Sequence, residues 1–501
     1  MRTRTTLALL VAAALVALTA CGSTVSPAAQ RAAAARSAGS GLGPSGSDQN
    51  LDASGSGDAG AGTDAIGSTG AGATNSGTSR TATSLRTGTG QATSGGGAQT
   101  GPIQIGIVRT GVSNAAAFGA SLGNSVSESD VDDALVAAFN DQGGIAGRKI
   151  VPVYADTDTG STSWDADFEA ACAKFTQDNK VVAVLGYVFN HDDAFEGCLA
   201  KRNVPHLSTT FNVPDAEVMK QYPLLIPLST PRIERRSLAK VDGAIATGVL
   251  TKASKIGVLY DSCPGTERAW TKVTEPYMKS KGLNVVKTAE IACARGSGDA
   301  GAAAGQAGNI VLQFRSAGVD AMMFNAVSEG PPVLIFASAA EAQSWHPKYV
   351  VSSLANAAVL AGQIPPAQAA NLHGYGWMPA QDVNPPQWPG TNATQQRCIN
   401  MLKAKGVLLK AATDYLYAFN LCDAMFVYEL ALKATRGNTT GPGVVAAIEA
   451  LGSSYTAALL LDGKATFSRT QHDAPVVARY FAWDGGCSCY TYRPTVVPIP
   501  S

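Results

Sequence analysis

The sequence predicts an α/β fold built from two doubly wound parallel sheets and preceded by a disordered stretch. Three observations predict it. Short apolar runs without in–out alternation take turns with segments of helical apolar spacing, the pattern of a parallel sheet covered on both faces. This rhythm starts at Ile103, and after Pro231 it starts again over a similar length. Residues 22–101 share none of it, being nearly all Ala, Gly, Ser and Thr.

The N-terminal part reads as export machinery. Arg2 and Arg4 precede an apolar run at 7–18, shorter than the roughly 18 or more residues that span a bilayer. Residues 1–20 therefore read as a signal peptide. Leu18-Thr19-Ala20-Cys21 resembles a bacterial lipobox, with small residues just before a cysteine at the end of the apolar run. Cys21 is the expected lipidation site, and the expected location is the extracytoplasmic face of the cell membrane, since acyl chains bury about 0.8 kcal/mol per methylene. Residues 21–101 are then a lipidated cysteine and a linker too poor in large apolar side chains to offset its ordering entropy. The glycines of Gly41-Leu42-Gly43-Pro44-Ser45-Gly46 formally match a dinucleotide fingerprint, but no strand precedes them and Pro44 interrupts them.

Composition excludes some functions. Formal net charge is zero and charged residues make up 15% of the chain, so nothing argues for a nucleic-acid partner. The hydrophobic fraction of 45% suffices for a large core.

The elements follow in order. Residues 103–108 form an apolar strand. Ser129 offers an N-cap with Asp132 three residues on, and Val131, Ala134, Leu135, Ala138 and Phe139 share one helix face. Gly143-Gly144 ends that helix. Strand 149–154, helix 167–177, strand 181–185, helix 194–202 and strand 205–208 complete the first unit. The second unit reads as strand 255–260, helix 266–281, strand 284–291, helix 309–317, strand 319–325, helix 332–342 and strand 349–353. No residue-level repeat relates the two.

Of nine cysteines, setting aside Cys21 leaves Cys172, Cys198, Cys263, Cys293, Cys398, Cys422, Cys487 and Cys489. An even number in an exported chain suggests disulfides, whose connectivity spacing alone does not fix. Spacing favours local pairs, Cys172 with Cys198, Cys263 with Cys293 and Cys398 with Cys422. Cys487-Ser488-Cys489 either closes a small loop or stays reduced. No histidine stands within a few residues of that close pair, so no metal is expected, and no other cofactor is.

Family resemblance enters through local motifs. Phe139-Asn140-Asp141-Gln142-Gly143-Gly144-Ile145-Ala146-Gly147-Arg148-Lys149-Ile150 resembles the asparagine, double glycine and Gly-Arg-Lys-Ile turn that follow the first helix of the branched-chain amino-acid type of ABC-transporter substrate-binding protein, the type I periplasmic binding fold. Asp156-Thr157-Asp158, Ala465-Thr466-Phe467 and Tyr480-Phe481-Ala482-Trp483-Asp484 are similar to its later segments. The resemblance covers about residues 103–492 and implies two discontinuous lobes joined by a hinge of three crossings. Lobe one would take 102–227 plus 375–452, and lobe two 228–374 plus 453–492.

It also implies a function. The chain would be a lipoprotein that captures a small polar solute (an amino acid, amide or small organic acid) between closing lobes and delivers it to an ABC permease, acting as a monomer and not as an enzyme. The alternative is the same fold serving as a ligand sensor or cell-envelope scaffold without transport. The chain departs from the family at Cys263-Pro264-Gly265, where an aromatic is expected, and at Cys198, which falls on a helix instead of the family's loop.

Ligands of open parallel sheets bind beyond the carboxyl ends of the strands, where helix N-termini offer unpaired N–H groups. Ser208, Thr209 and Thr210 fall where the family places donors for a substrate carboxylate. Phe118 resembles the ring that covers the bound side chain. Tyr187 and Asn190 stand in the loop after the third strand, and Glu329 is the counter-charge for a substrate ammonium. A hydrolase reading rests on Gly119-Ala120-Ser121-Leu122-Gly123, a G-x-S-x-G match. Its serine lies well past the strand instead of in a strand-to-helix turn, and a chain with 53 glycines meets such matches by chance.

Overall fold

The computed structural model describes residues 101–111, 123–186, 194–209 and 213–501. The signal segment, Cys21, nearly all of the linker, Phe118, Tyr187, Asn190, Thr210 and Ser121 lie outside them.

The first sheet holds β1 (Ile103–Gly111), β2 (Ile150–Asp158), β3 (Ala183–Gly186), β4 (His206–Ser208) and β5 (Leu225–Pro227) in the order β2-β1-β3-β4-β5. Every pairing in it is parallel. Its connections carry α1 (Glu128–Asp141), α2 (Trp164–Ala173), α3 (Ala194–Ala200) and α4 (Ala216–Gln221). Ile103, Ile105, Ile107 and Val108 of β1 are buried, as a strand covered on both faces requires.

Local chemistry sets the boundaries. The N-cap of α1 is Ser127 and not the expected Ser129, because the Ser127 hydroxyl is the one that reaches a free first-turn amide, that of Asp130 at 3.0 Å. At the other end, Asn140 closes the helix onto β2. Its Nδ2 donates to the Ile150 carbonyl at 2.9 Å and its Oδ1 accepts from the Ile150 amide at 2.7 Å. The chain between them turns on Gly144, with φ at +80° and the Arg148 carbonyl only 1.9 Å from where a Cβ would stand.

The second sheet holds β6 (Lys255–Asp261), β7 (Asn284–Ile291), β8 (Ala321–Asn325), β9 (Lys348–Ser352), β10 (Leu372–Gly376), β11 (Val477–Asp484) and β12 (Cys489–Pro498) in the order β12-β11-β10-β9-β8-β6-β7. Strands β6 to β10 pair in parallel. The parallel expectation needs one correction. Strand β11 runs antiparallel to β10, and β12 antiparallel to β11. A four-residue connection is too short for a parallel crossover, so β11 and β12 must form a hairpin.

Helix α5 (Ile233–Ala246) leads into this sheet. It is followed by α6 (Pro264–Ala269), α7 (Glu275–Ser280), α8 (Ser297–Ser316), α9 (Gly330–Ala342), and the short α10 (Ala357–Leu360), α11 (Pro366–Ala369) and α12 (Pro379–Asp382). Next come α13 (Ala393–Ala404), α14 (Ala412–Ala434) and α15 (Gly441–Glu449), which return to the first sheet. There α13 and α14 pack on α1, with Phe426 5.8 Å from Phe139 between ring centroids. The chain thus passes between the sheets at 228–232, again after Gly376, and again before Val477. Strand β10 spans the crossing expected at residue 375 and pairs in the second sheet, and β12 continues past residue 492 to Pro498.

All eight cysteines among the described residues form disulfides: Cys172–Cys198, Cys263–Cys293, Cys398–Cys422 and Cys487–Cys489. The last closes across the β11–β12 turn.

Candidate functional site

The carboxyl ends of the two sets of strands bring their loops together. The Trp164 amide donates to the Arg295 carbonyl at 2.9 Å, and the Ser297 amide donates to the Ser161 carbonyl at 2.9 Å. These bonds join the segment after β2 to the segment after β7. The Arg295 guanidinium pairs with Asp165 at 3.0 Å across the same seam. A second bridge joins Asp215, after β4, to Arg268 on α6, with Nε and Nη2 at 2.6 and 3.0 Å from the two carboxylate oxygens.

On the first-sheet side, β4 places the site. His206 is buried; its Nδ1 meets Glu196 Oε1 at 2.8 Å and its Nε2 meets the Gly186 carbonyl at 3.2 Å. The Gly186 carbonyl also accepts from the Thr209 amide at 3.2 Å, which fixes the turn out of β4. Ser208 and Thr209 are 0% and 1% exposed, yet neither hydroxyl has a hydrogen-bond partner among the described residues. An unsatisfied buried polar group costs about 1–3 kcal/mol, and native chains rarely tolerate neighbouring ones without a partner from outside. Thr230, on the first crossing segment, has the same character.

On the second-sheet side, α5 supplies charge that the sequence reading missed. Arg236 donates to the Ala326 carbonyl at 2.8 Å, Ser237 to Asn325 Oδ1 at 2.5 Å, and Lys240 to the Phe324 carbonyl and to Glu329 Oε1. The signal was present: Arg236 and Lys240 stand four residues apart, on one face of a helix that also buries Ile233, Ala239, Val241 and Ala244. Burial pushes the Lys240 ammonium down to about 8, with Glu329 drawing it partly back.

Glu329 is 0% exposed and stands beyond the end of β8, but its carboxylate is already engaged. Lys240 holds Oε1 at 2.6 Å, while the Ser352 amide and hydroxyl hold Oε2 at 2.6 and 2.8 Å. The expected counter-charge for a substrate ammonium therefore has a lysine of the same chain in that role. Asp261, ending β6, is likewise engaged by the amides of Cys263 and Val327. Of the expected ligand residues, the described ones are Ser208, Thr209 and Glu329. The first two form one continuous edge, and Glu329 belongs to the lysine network of the other sheet.

A groove of about 640 Å³ between α1 and α13 lies elsewhere. It opens beside Asp141 and Gln142, at the end of α1 from which β2 begins, and the Lys405–Asp141 ion pair spans it. Among the described residues no group of three or more His, Cys, Asp or Glu could hold a metal ion.

Twin sheets with facing strand ends, crossed three times by the chain, match one family model. The model described as periplasmic binding protein covers residues 102–486. The chain belongs to the periplasmic binding protein family. Solved structures similar to this periplasmic binding protein share its fold at low identity. An ABC-transporter solute-binding protein from R. palustris, in complex with 4-hydroxybenzoate, has a TM-score of 0.57 at 15% identity, covering 80% of this chain and 98% of that one. A leucine-binding protein from Thermotoga maritima has a TM-score of 0.55 at 14% identity, covering 79% and 98%. An ABC-transporter substrate-binding protein from Aeropyrum pernix has a TM-score of 0.60 at 13% identity, covering 80% and 97%. No curated protein sequence matches the chain.

Proposed function

We propose that this periplasmic binding protein is the solute receptor of an ABC importer, closing its two lobes over a small polar solute and presenting the closed form to a membrane permease. One observation carries the reading: Ser208 and Thr209 are buried at the facing strand ends with hydroxyls that no described residue satisfies. Closure over a ligand would satisfy them, so binding energy is coupled to the hinge. Solute-binding proteins of the same fold, one in complex with 4-hydroxybenzoate and one named for leucine, support a ligand of that size.

Cys21 is the lipid attachment point in this reading. A Cys21→Ser chain should appear in the medium; its retention on membranes would remove the anchor.

The capture reading is tested by thermal-shift screening of the full chain against amino acids, amides and small organic acids. A ligand at 100 times its Kd adds about 2.7 kcal/mol of stability. Ser208→Ala with Thr209→Val should weaken the hit at least tenfold. A broad library without a single shift rejects capture.

A further inference from the structure

We infer that the cleft selects a carboxylate that carries no charged amine, with Arg236, Asn325 and Thr266 as the second lobe's contribution to holding it. The inference rests on the capture reading and names the ligand class of that same site.

Six buried side chains carry open valences: Ser208, Thr209 and Thr230 on the first-sheet side, and Thr266, Asn325 and Arg236 on the second. Their segments are fastened together. The Leu228 amide donates to the Ser208 carbonyl at 2.8 Å, and the Ile233 amide donates to the Pro214 carbonyl at 3.1 Å. Asp215 reaches Arg268, two residues from Thr266, and Ser237 reaches Asn325.

Every one of the six can donate. The hydroxyls of Ser208, Thr209, Thr230 and Thr266 each have a proton to give, the open atom of Arg236 is Nε, and that of Asn325 is Nδ2. The Asn325 Oδ1 accepts from the Ser237 hydroxyl, which leaves Nδ2 as its open atom.

The carboxylates, by contrast, are taken. Glu329 is held by Lys240 and Ser352, Asp261 by two backbone amides, and Asp215 by Arg268 and the Val218 amide. Among the described residues three buried carboxylate oxygens lack a hydrogen bond: Glu234 Oε2 and Asp473 Oδ1 stand 3.9 and 3.8 Å from the guanidinium of Arg232, and Asp382 Oδ1 belongs to α12. Arg236 itself is 0% exposed and has no carboxylate within ion-pair distance among the described residues. A buried guanidinium that meets only carbonyls, beside donors with nothing to donate to, suits an anion made of acceptors. An ammonium brought to the same place would meet the Arg236 charge, while the described carboxylates whose field reaches Arg236, Glu329, Asp261 and Glu234, already accept from donors of the chain.

Matched probes on one carbon skeleton separate the possibilities. The set is 4-methylpentanoate, L-leucine and 4-methylpentanamide, together with 3-phenylpropanoate, L-phenylalanine and 3-phenylpropanamide, each titrated into the full chain by calorimetry and thermal shift. The acid should bind at least tenfold more tightly than the amino acid and the amide of the same skeleton. Arg236→Gln should weaken the acid at least tenfold. Because Arg236 also braces the loop after β8, Thr266→Val is the second variant: it removes a hydroxyl that no bond among the described residues uses, and should weaken the acid about threefold with an unchanged Tm of the free protein. An amino acid or amide that binds as tightly as its acid overturns the carboxylate assignment and leaves capture standing. Acid binding indifferent to both variants overturns the residue assignment. No binding by any probe counts against both readings.

Discussion

Lys240 donates to Glu329 at 2.6 Å with both side chains fully buried, and this pair joins α5 to the strand-end loop of the second sheet. Removing one partner leaves the other charged and unpaired, which typically costs about 3–5 kcal/mol. Lys240→Met and Glu329→Gln should each destabilise the chain by that order in urea denaturation. The double variant should lose clearly less than their sum. Additive losses would mean that the two side chains act independently.

Asp382 predicts a pH dependence of stability. Burial pushes its carboxyl up to about 7, with the Tyr492 hydroxyl at 2.6 Å drawing it partly back. Unfolded, it titrates near 4. Between those values the folded state binds more protons at Asp382 than the unfolded state, so this group's contribution to stability is fully present below about pH 4 and falls as pH rises towards 7. Over about three pH units this one group contributes on the order of 4 kcal/mol. Asp132, at about 7, and Asp423, at about 6, act in the same direction, each raised chiefly by burial. Asp382→Asn should flatten the wild-type decline between pH 4 and 7 and raise stability at pH 7. A denaturation series with equal slopes for both chains would exclude Asp382 as a source.

The turn after α1 was legible in the sequence because its causes are local. Gly144 must adopt φ of +80° against the Arg148 carbonyl, and Asn140 bonds both polar groups of the Ile150 backbone. Gly144→Ala should cost about 1–3 kcal/mol in strain, and Asn140→Ala about 1–2 kcal/mol in lost hydrogen bonds. Equilibrium unfolding measures both. A neutral Gly144→Ala would show that the loop can move away from the new methyl group.

Where the reading missed, the cause was distance or weak local signal. Helix α8 begins at Ser297, a dozen residues before the expected start, because Gly298, Gly301, Gly305 and Gly308 hide a helix that tertiary packing stabilises against its poor propensity. The strands β1 and β6 were plain, since an apolar run needs no partner to be recognised. The engagement of Glu329 was not, because Lys240 lies 89 residues earlier and only the fold brings them together. Ser208 and Thr209 could be placed at a strand end, but that their hydroxyls lack partners depends on everything packed around them.

The Arg268–Asp215 bridge gives a test of closure that needs no ligand. Arg268 comes from the helix after β6, and Asp215 from the segment after β4, so the bond connects the two lobes. Arg268 is partly exposed, which limits the pair to about 1 kcal/mol, but that is a roughly fivefold change in a two-state equilibrium. Arg268→Met should therefore shift the population towards a more open form and increase the radius of gyration in solution scattering. The fold itself should hold, since Asp215 still caps α4 by accepting from the Val218 amide at 3.0 Å. A radius of gyration identical to wild type, at an equal Tm, would mean that the seam between Ser161, Trp164, Arg295 and Ser297 holds the lobes together without help from this ion pair.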